Sequence, residues 1–298
     1  MTRLVFLRLI MIFFGALALP AAAPVRPLYA VCGAYEPELV ALKKAFGVDA
    51  QAGWKSTTIN GLEFWSGACA GRDAIVFRTG VSVVNAAYQL QLALDKFPIT
   101  HVLFAGVAGG TDPALAVGDV VIPERWAYHS EAAYLNEDGR GGYVRPDYLP
   151  LGRGNFGMMF PTGVGVVRAD GTTERQEFFA ADAALLAVAR RVAAKLPPQT
   201  RGGRAVRVEA GGTGVSGPVF LDNAPYREWV FRTWQARCVD MESTALAHVA
   251  QANAKPILIV RGLSDLAGGQ PGKNPIGENE LSVAELAARV LRAVVAEL

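Results

Sequence analysis

The strongest constraint on this fold is an alternation of short apolar runs with helix-forming segments along most of the chain. Leu28 to Gly33 reads as a buried strand, and Glu36 to Phe46 follows as a helix with Pro37 in its first turn, where a missing N–H costs nothing. Thr57–Ser66 and Ala74–Thr79 read as strands, and Asn60-Gly61 inside the first suits a tight hairpin turn. Ser82 to Lys96 is a helix with Ser82 as its candidate N-cap. Strands are predicted at His101–Gly106, Asp119–Pro123, Val206–Ala210 and Pro256–Leu263. Helices are predicted at Ala181–Leu196, Asn223–Trp234, Met241–Asn253 and Ser282–Leu298. Such alternation implies a largely parallel sheet covered on both faces. No internal repeat or linker divides residues 24–298, which read as one domain. The stretch Asn136–Thr173, rich in Gly, Pro, Arg and Tyr, breaks the pattern and reads as a long surface excursion.

Composition narrows the partners. Of 298 residues, 51% are hydrophobic and 19% charged, which excludes intrinsic disorder. With 29 Lys+Arg against 27 Asp+Glu the net charge is +2, too small a basic excess to neutralise a nucleic acid. Part of the apolar excess lies at the start: Arg3 and Arg8, then Leu9 to Leu19, then Pro20 and Ala21-Ala22-Ala23. A basic start, a short apolar run and an A-x-A end describe a secretory signal peptide over residues 1–23. The run is too short for a bilayer span. The expectation is an exported protein, periplasmic or secreted, with no stable membrane insertion after cleavage. The cysteines Cys32, Cys69 and Cys238 form no C-x-x-C pair, and Cys32 and Cys238 read as small buried hydrophobes. His101, His129 and His248 lack metal-ligand spacing, so neither a metal nor another cofactor is expected.

Open parallel sheets bind ligands at the carboxyl ends of their strands. Those ends carry Gly33-Ala-Tyr-Glu-Pro-Glu38, Gly106-Val-Ala-Gly-Gly110, Gly212 to Leu221, Asp240-Met-Glu242 and Ser264-Asp265. Glycines that let backbone approach a ligand thus share a rim with the carboxylates Glu38, Glu242 and Asp265 and the aromatic Phe220. Plainer readings stand beside these. Gly33 and Gly106–Gly110 also suit tight turns, and no G-x-G-x-x-G or Walker pattern is present. Glu38 suits the positive end of a helix dipole, and Asp265 a helix cap. Glu242, set among Val239, Met241 and Ala245, needs a partner or a ligand.

Several stretches together resemble the purine nucleoside phosphorylase / uridine phosphorylase superfamily, and within it the methylthioadenosine/S-adenosylhomocysteine nucleosidase branch. They are Cys32–Glu38, Ala105–Gly110, Val117–Pro123, Val215–Leu221, Val239-Asp-Met-Glu-Ser-Thr-Ala245 and Val260-Arg-Gly-Leu-Ser-Asp265. The resemblance implies a three-layer α/β/α sandwich with a twisted, mixed, mostly parallel sheet. It also implies cleavage of the N-glycosidic bond of a purine nucleoside, and at least a homodimer. By the same resemblance Asp265 is the acid at purine N7 and Glu38 the residue that positions and activates water. Glu242 holds the ribose hydroxyls, Met241 packs under the ribose, and Phe220 and Leu221 contact the base. Ala108, Gly109 and Ser264 belong to matching motifs and complete the candidate substrate site. Val107 departs from the Ser or Thr usual there.

Water and phosphate compete as nucleophile. Superfamily phosphorylases hold phosphate with an Arg in the first glycine loop, and Gly33–Glu38 has acids instead, which repel phosphate. Arg78 is the one candidate phosphate ligand; a surface charge at a strand end is its alternative reading. Hydrolysis is therefore expected, and Asp265 as an acid at N7, with nearby backbone to read N6, points to a 6-aminopurine nucleoside as its substrate. A phosphorylase with phosphate as co-substrate, and an exported nucleoside-binding or storage protein, are the alternatives.

Overall fold

A computed structural model describes residues 26–298. The leader at 1–23 lies outside the described residues. The chain opens with β1 (Leu28–Gly33), α1 (Glu36–Phe46), β2 (Lys55–Ile59), β3 (Leu62–Cys69), β4 (Arg72–Arg78), α2 (Val83–Lys96) and β5 (His101–Gly110). Short strands follow: β6 (Val120–Ile122), β7 (Arg125–Tyr128), β8 (Ala132–Tyr134), β9 (Met159–Pro161), β10 (Val164–Val167), β11 (Thr173–Gln176) and β12 (Phe179–Ala180). Next come α3 (Ala183–Lys195), β13 (Thr200–Arg201), β14 (Arg204–Ala205), β15 (Val208–Ala210), β16 (Thr213–Ser216) and α4 (Ala224–Trp234). The chain closes with β17 (Ala236–Asp240), α5 (Ser243–Ala252), β18 (Ile257–Asp265) and α6 (Ile276–Ala296).

A 12-stranded mixed sheet holds the molecule together. Its centre is parallel: β5 lies between β1 and β18, and β1 continues to β4. Antiparallel pairs close the margins, β4 to β3 to β2 on one side and β12 to β7 on the other. The long strand β5 carries the shape. Its first residues pair with β1, and its last two, Gly109 and Gly110, pair antiparallel with β17. Helices cover both faces, giving the three layers expected. Leu42 and Phe46 of α1, Leu185 and Val192 of α3, and Leu291 and Val294 of α6 pack on one face. Leu90 of α2 and Leu246 of α5 meet Phe77, Phe104 and Ile259 on the other. A smaller core under α4 joins Trp229 and Trp234 to Val215 and Val239.

Four local expectations change. The glycine run 106–110 is strand, not a strand-to-helix turn, and Thr213–Ser216 is a strand rather than loop. Ser82 precedes α2 at φ 80° and makes no side-chain cap; its backbone N–H is used elsewhere, as shown below. Within the 136–173 stretch, residues 136–158 run over the surface as expected, whereas β9 and β10 beyond them pair with β8 and β11 and bury Phe160 and Val166. The Asn60-Gly61 turn has φ values of 51° and 76°, both left-handed, as a tight hairpin requires. All three cysteines are free and buried.

Candidate active site

The carboxyl ends of β1, β5, β17 and β18 converge on one cavity of about 190 Å³. Its floor is an ion cluster. Arg261, on the central strand β18, is 1% exposed. Its Nε lies 2.9 Å from Asp240 Oδ2, its Nη2 3.4 Å from Glu242 Oε2 and its Nη1 3.5 Å from Glu38 Oε1. The guanidinium also rests over the Phe104 ring, 4.6 Å from its centroid. The three carboxylates come from three separate elements: α1, the end of β17 and the turn into α5. Nη1 has no aligned hydrogen-bond acceptor among the described residues, so this buried donor can serve a water or a ligand.

Backbone groups aim each acid. Glu38 sits in the first turn of α1, where the chain bends back over the end of β1. Its Oε1 accepts the Val107 N–H at 2.7 Å, and its Oε2 accepts the Ala34 N–H. Glycine at 106 is required by this arrangement: a Cβ there would lie 1.9 Å from Glu38 Oε1 and 2.5 Å from Arg261 Nη1. The glycines of this strand thus make room for side chains as much as for a ligand. Glu242 Oε1 accepts the Ser82 N–H at 2.8 Å, which explains the unusual backbone of Ser82. Asp240 is saturated by Ser216 Oγ at 2.5 Å, the Glu242 and Ser243 N–H groups and the Ser243 hydroxyl. It buttresses the cluster rather than facing a ligand with free lone pairs.

Asp265 stands apart from this cluster. The register of β18 against β5 slips between Leu263, opposite Ala108, and Asp265, opposite Gly109. Such a bulge re-aims the side chains around it. Asp265 then accepts the Ala267 N–H and the Ser264 hydroxyl, both at 2.8 Å, and caps no helix. A Cβ on Gly109 would come within 3.0 Å of Asp265 Oδ1.

Burial dominates the electrostatics. It pushes the Glu38 carboxyl up, against the opposing pull of Arg261 and the two backbone N–H groups. Glu242 is pushed up to about 8, first by burial and then by the nearby Asp240. Burial also raises Asp265, opposed by its bond from Ala267. Burial works against the charge of Arg261, but Asp240, Glu38 and Glu242 more than offset it, so the guanidinium stays protonated. Each of the three acids therefore holds a proton more readily than a free carboxyl does, which is the direction a proton-transferring group needs.

Glu38, Asp265, Ala108, Gly109, Phe220, Leu221, Met241, Glu242 and Ser264 all line the cavity. Arg78 does not. It is exposed at the end of β4, 3.3 Å from Glu36, which agrees with its alternative reading as a surface charge. The 136–173 stretch contributes no lining residue either. Sequence reasoning missed Arg261 and Asp240, and also Tyr35, Val81, Ile276 and Glu280 on the walls. The signal for Arg261 was present: a lone charge in the middle of a nine-residue apolar strand must be paired.

Residues 28–298 match the family model described as "Phosphorylase superfamily". The chain belongs to the phosphorylase superfamily. Among superfamily relatives, the 5'-methylthioadenosine/S-adenosylhomocysteine nucleosidase of Geobacillus kaustophilus is 30% identical over 244 residues, covering 82% of this chain and 86% of the relative. The protein of the same name from Tolumonas auensis is 29% identical over 240 residues, covering 80% and 86%. Among solved structures, futalosine hydrolase of Helicobacter pylori superposes with a TM-score of 0.69 at 20% identity, covering 91% of this chain and 98% of that one. The nucleosidase of the same organism, complexed with a pyrrolidine inhibitor, gives 0.68 at 20% identity, covering 91% and 99%. These likenesses agree with the three-layer fold.

Proposed function

We propose that this protein hydrolyses the N-glycosidic bond of a purine nucleoside. The observation that carries the choice of water is the charge pattern of the cavity. Its one guanidinium, Arg261, already faces three carboxylates, and Asp265 and Glu280 add two more acids to the walls. A dianionic phosphate would meet repulsion there, whereas a neutral nucleoside and a water would not. The names of the curated relatives support the same chemistry on a 6-aminopurine.

The steps follow from the residues. The base lies against Phe220 and Leu221, and its departing N7 takes a proton from Asp265, whose carboxyl burial shifts upward toward the acid form. Glu242 accepts from the ribose hydroxyls and so holds the sugar in place for attack. Water held between Glu38 and Arg261 Nη1 attacks the anomeric carbon and gives its proton to Glu38. The C–N bond breaks, a C–O bond forms, and the products are free base and free sugar. Exchange with solvent then returns the proton to Asp265 and removes the other from Glu38.

Asp265→Asn tests this directly. Single-turnover base release from adenosine or methylthioadenosine should fall by about 10²–10⁴, the usual value of a general acid, while calorimetric binding persists. Unchanged release would remove Asp265 from the reaction, and an inert wild type that binds nucleoside would favour the binding-protein reading. A preference for inosine over adenosine would overturn the 6-aminopurine. The reading also carries export through the 1–23 leader, checked by N-terminal sequencing of the periplasmic protein. A homo-oligomer is consistent with the exposed apolar Val84, Tyr88, Val219 and Phe220.

A further inference from the structure

The cavity has a wall that the proposed chemistry does not use. Base and sugar hydroxyls account for Phe220, Leu221, Asp265, Met241 and Glu242. Beside the water-binding Glu38 and Arg261 and the small residues of the rim, one further wall is formed by Tyr35 next to α1, Val81 before α2, and Ile276 and Glu280 in the first turns of α6. Two of these four are polar, and they are joined: the Tyr35 hydroxyl donates to Glu280 Oε2 at 2.7 Å. Both are half-buried.

The chemistry of this pair is one-sided. An ionised carboxylate only accepts, and the single phenolic proton is already given to it. The pair therefore offers the cavity free acceptor sites and negative charge, and no spare donor. We infer that Tyr35 and Glu280 select the substrate's 5' substituent, favouring one with an O–H or N–H donor and no negative charge. A 5'-hydroxyl or a 5'-amine fits. A thioether brings no proton, and a 5'-phosphate or 5'-carboxylate meets like charge. Val81 and Ile276 supply the apolar part of the same wall, so the carbon skeleton beyond the sugar is still covered.

This inference rests on the nucleosidase reading, so its test separates the two. The full-length protein and its Glu280→Leu and Glu280→Gln variants are assayed with adenosine, 5'-methylthioadenosine and adenosine 5'-monophosphate. In Glu280→Leu the ratio of kcat/KM for adenosine over methylthioadenosine should fall about tenfold, the ordinary effect of losing a hydrogen bond to a charged group. Glu280→Gln keeps an acceptor but removes the charge. It should retain more of that ratio than the leucine variant, and should raise relative activity on the monophosphate. Cleavage by all three proteins with identical substrate ratios would overturn the inference and leave the nucleosidase reading standing. A wild type that cleaves no nucleoside would overturn both.

Discussion

Gly106→Ala is a one-methyl change that should disable the site without unfolding the protein. The new Cβ would lie 1.9 Å from Glu38 Oε1, 2.2 Å from its Cδ and 2.5 Å from Arg261 Nη1. Ordinary contact begins near 3.4 Å, so the carboxylate must move by about 1.5 Å. It cannot do so freely, because it is buried and pinned by the N–H groups of Ala34 and Val107. A displacement of that size breaks both bonds and moves the water-activating oxygen. A misplacement of about 1 Å costs roughly 10²-fold in rate, so kcat for base release should drop by at least about that factor. Overpacking costs about 1–3 kcal/mol, and for a domain of this size that lowers Tm by roughly 2–12 °C. The assay is base release by absorbance or chromatography, beside a thermal melt followed by circular dichroism. Gly110→Ala is the control: its Cβ meets only leucine side-chain tips, at 3.1 and 3.2 Å, with a backbone oxygen at 3.5 Å. Near-wild-type kcat/KM in a folded Gly106→Ala protein would refute the claim that catalysis depends on where Glu38 is held.

Arg261→Met strips the shared partner from three buried carboxylates, and removing one side of a buried ion pair typically costs about 3–5 kcal/mol. A large fall in Tm, or failure to fold, is expected by calorimetry, and a shift under 1 °C would contradict the cluster's role. The Glu242 carboxyl, raised in the fold to about 8 from an ordinary 4.5, favours the protonated native state. Its contribution is fully present below pH 4.5 and is lost as pH rises toward 8. Glu242→Gln should therefore flatten the decline of Tm between those values, and an unchanged slope would argue against the shift. Arg78→Ala removes an exposed charge that, among the described residues, pairs with Glu36. Stability should change by no more than about 0.5 kcal/mol, with no effect on base release at any phosphate concentration.

Local rules carried some elements of this fold very far. The bounds of β1 and α1 follow from a continuous apolar run, Pro37 at the helix start and Gly47 in the left-handed region at its end. The Asn60-Gly61 turn is equally local. Where the reading stopped short, tertiary contacts decided. Gly106–Gly110 looks like a turn because glycine punctuates sequences, yet it is strand whose missing side chains admit Glu38 and Asp265. Gly214 likewise admits the Trp126 ring, 2.5 Å from where its Cβ would be, and this glycine interrupts the branched residues Thr213 and Val215 of the short strand β16. Ser82 looks like a cap, but a carboxylate 160 residues away takes its N–H instead. The candidate acids were legible because carboxylates beside apolar strand ends need an explanation. The Tyr35–Glu280 pair was not, since its partners lie 245 residues apart.

The central claim is hydrolysis by water in a cavity too acidic for phosphate. It is tested most directly by mixing excess protein, freed of phosphate, with methylthioadenosine or adenosine and following both products. The account predicts stoichiometric free base and free sugar, at a rate that added phosphate does not increase. No release until phosphate is supplied, with sugar 1-phosphate as the product, would contradict it.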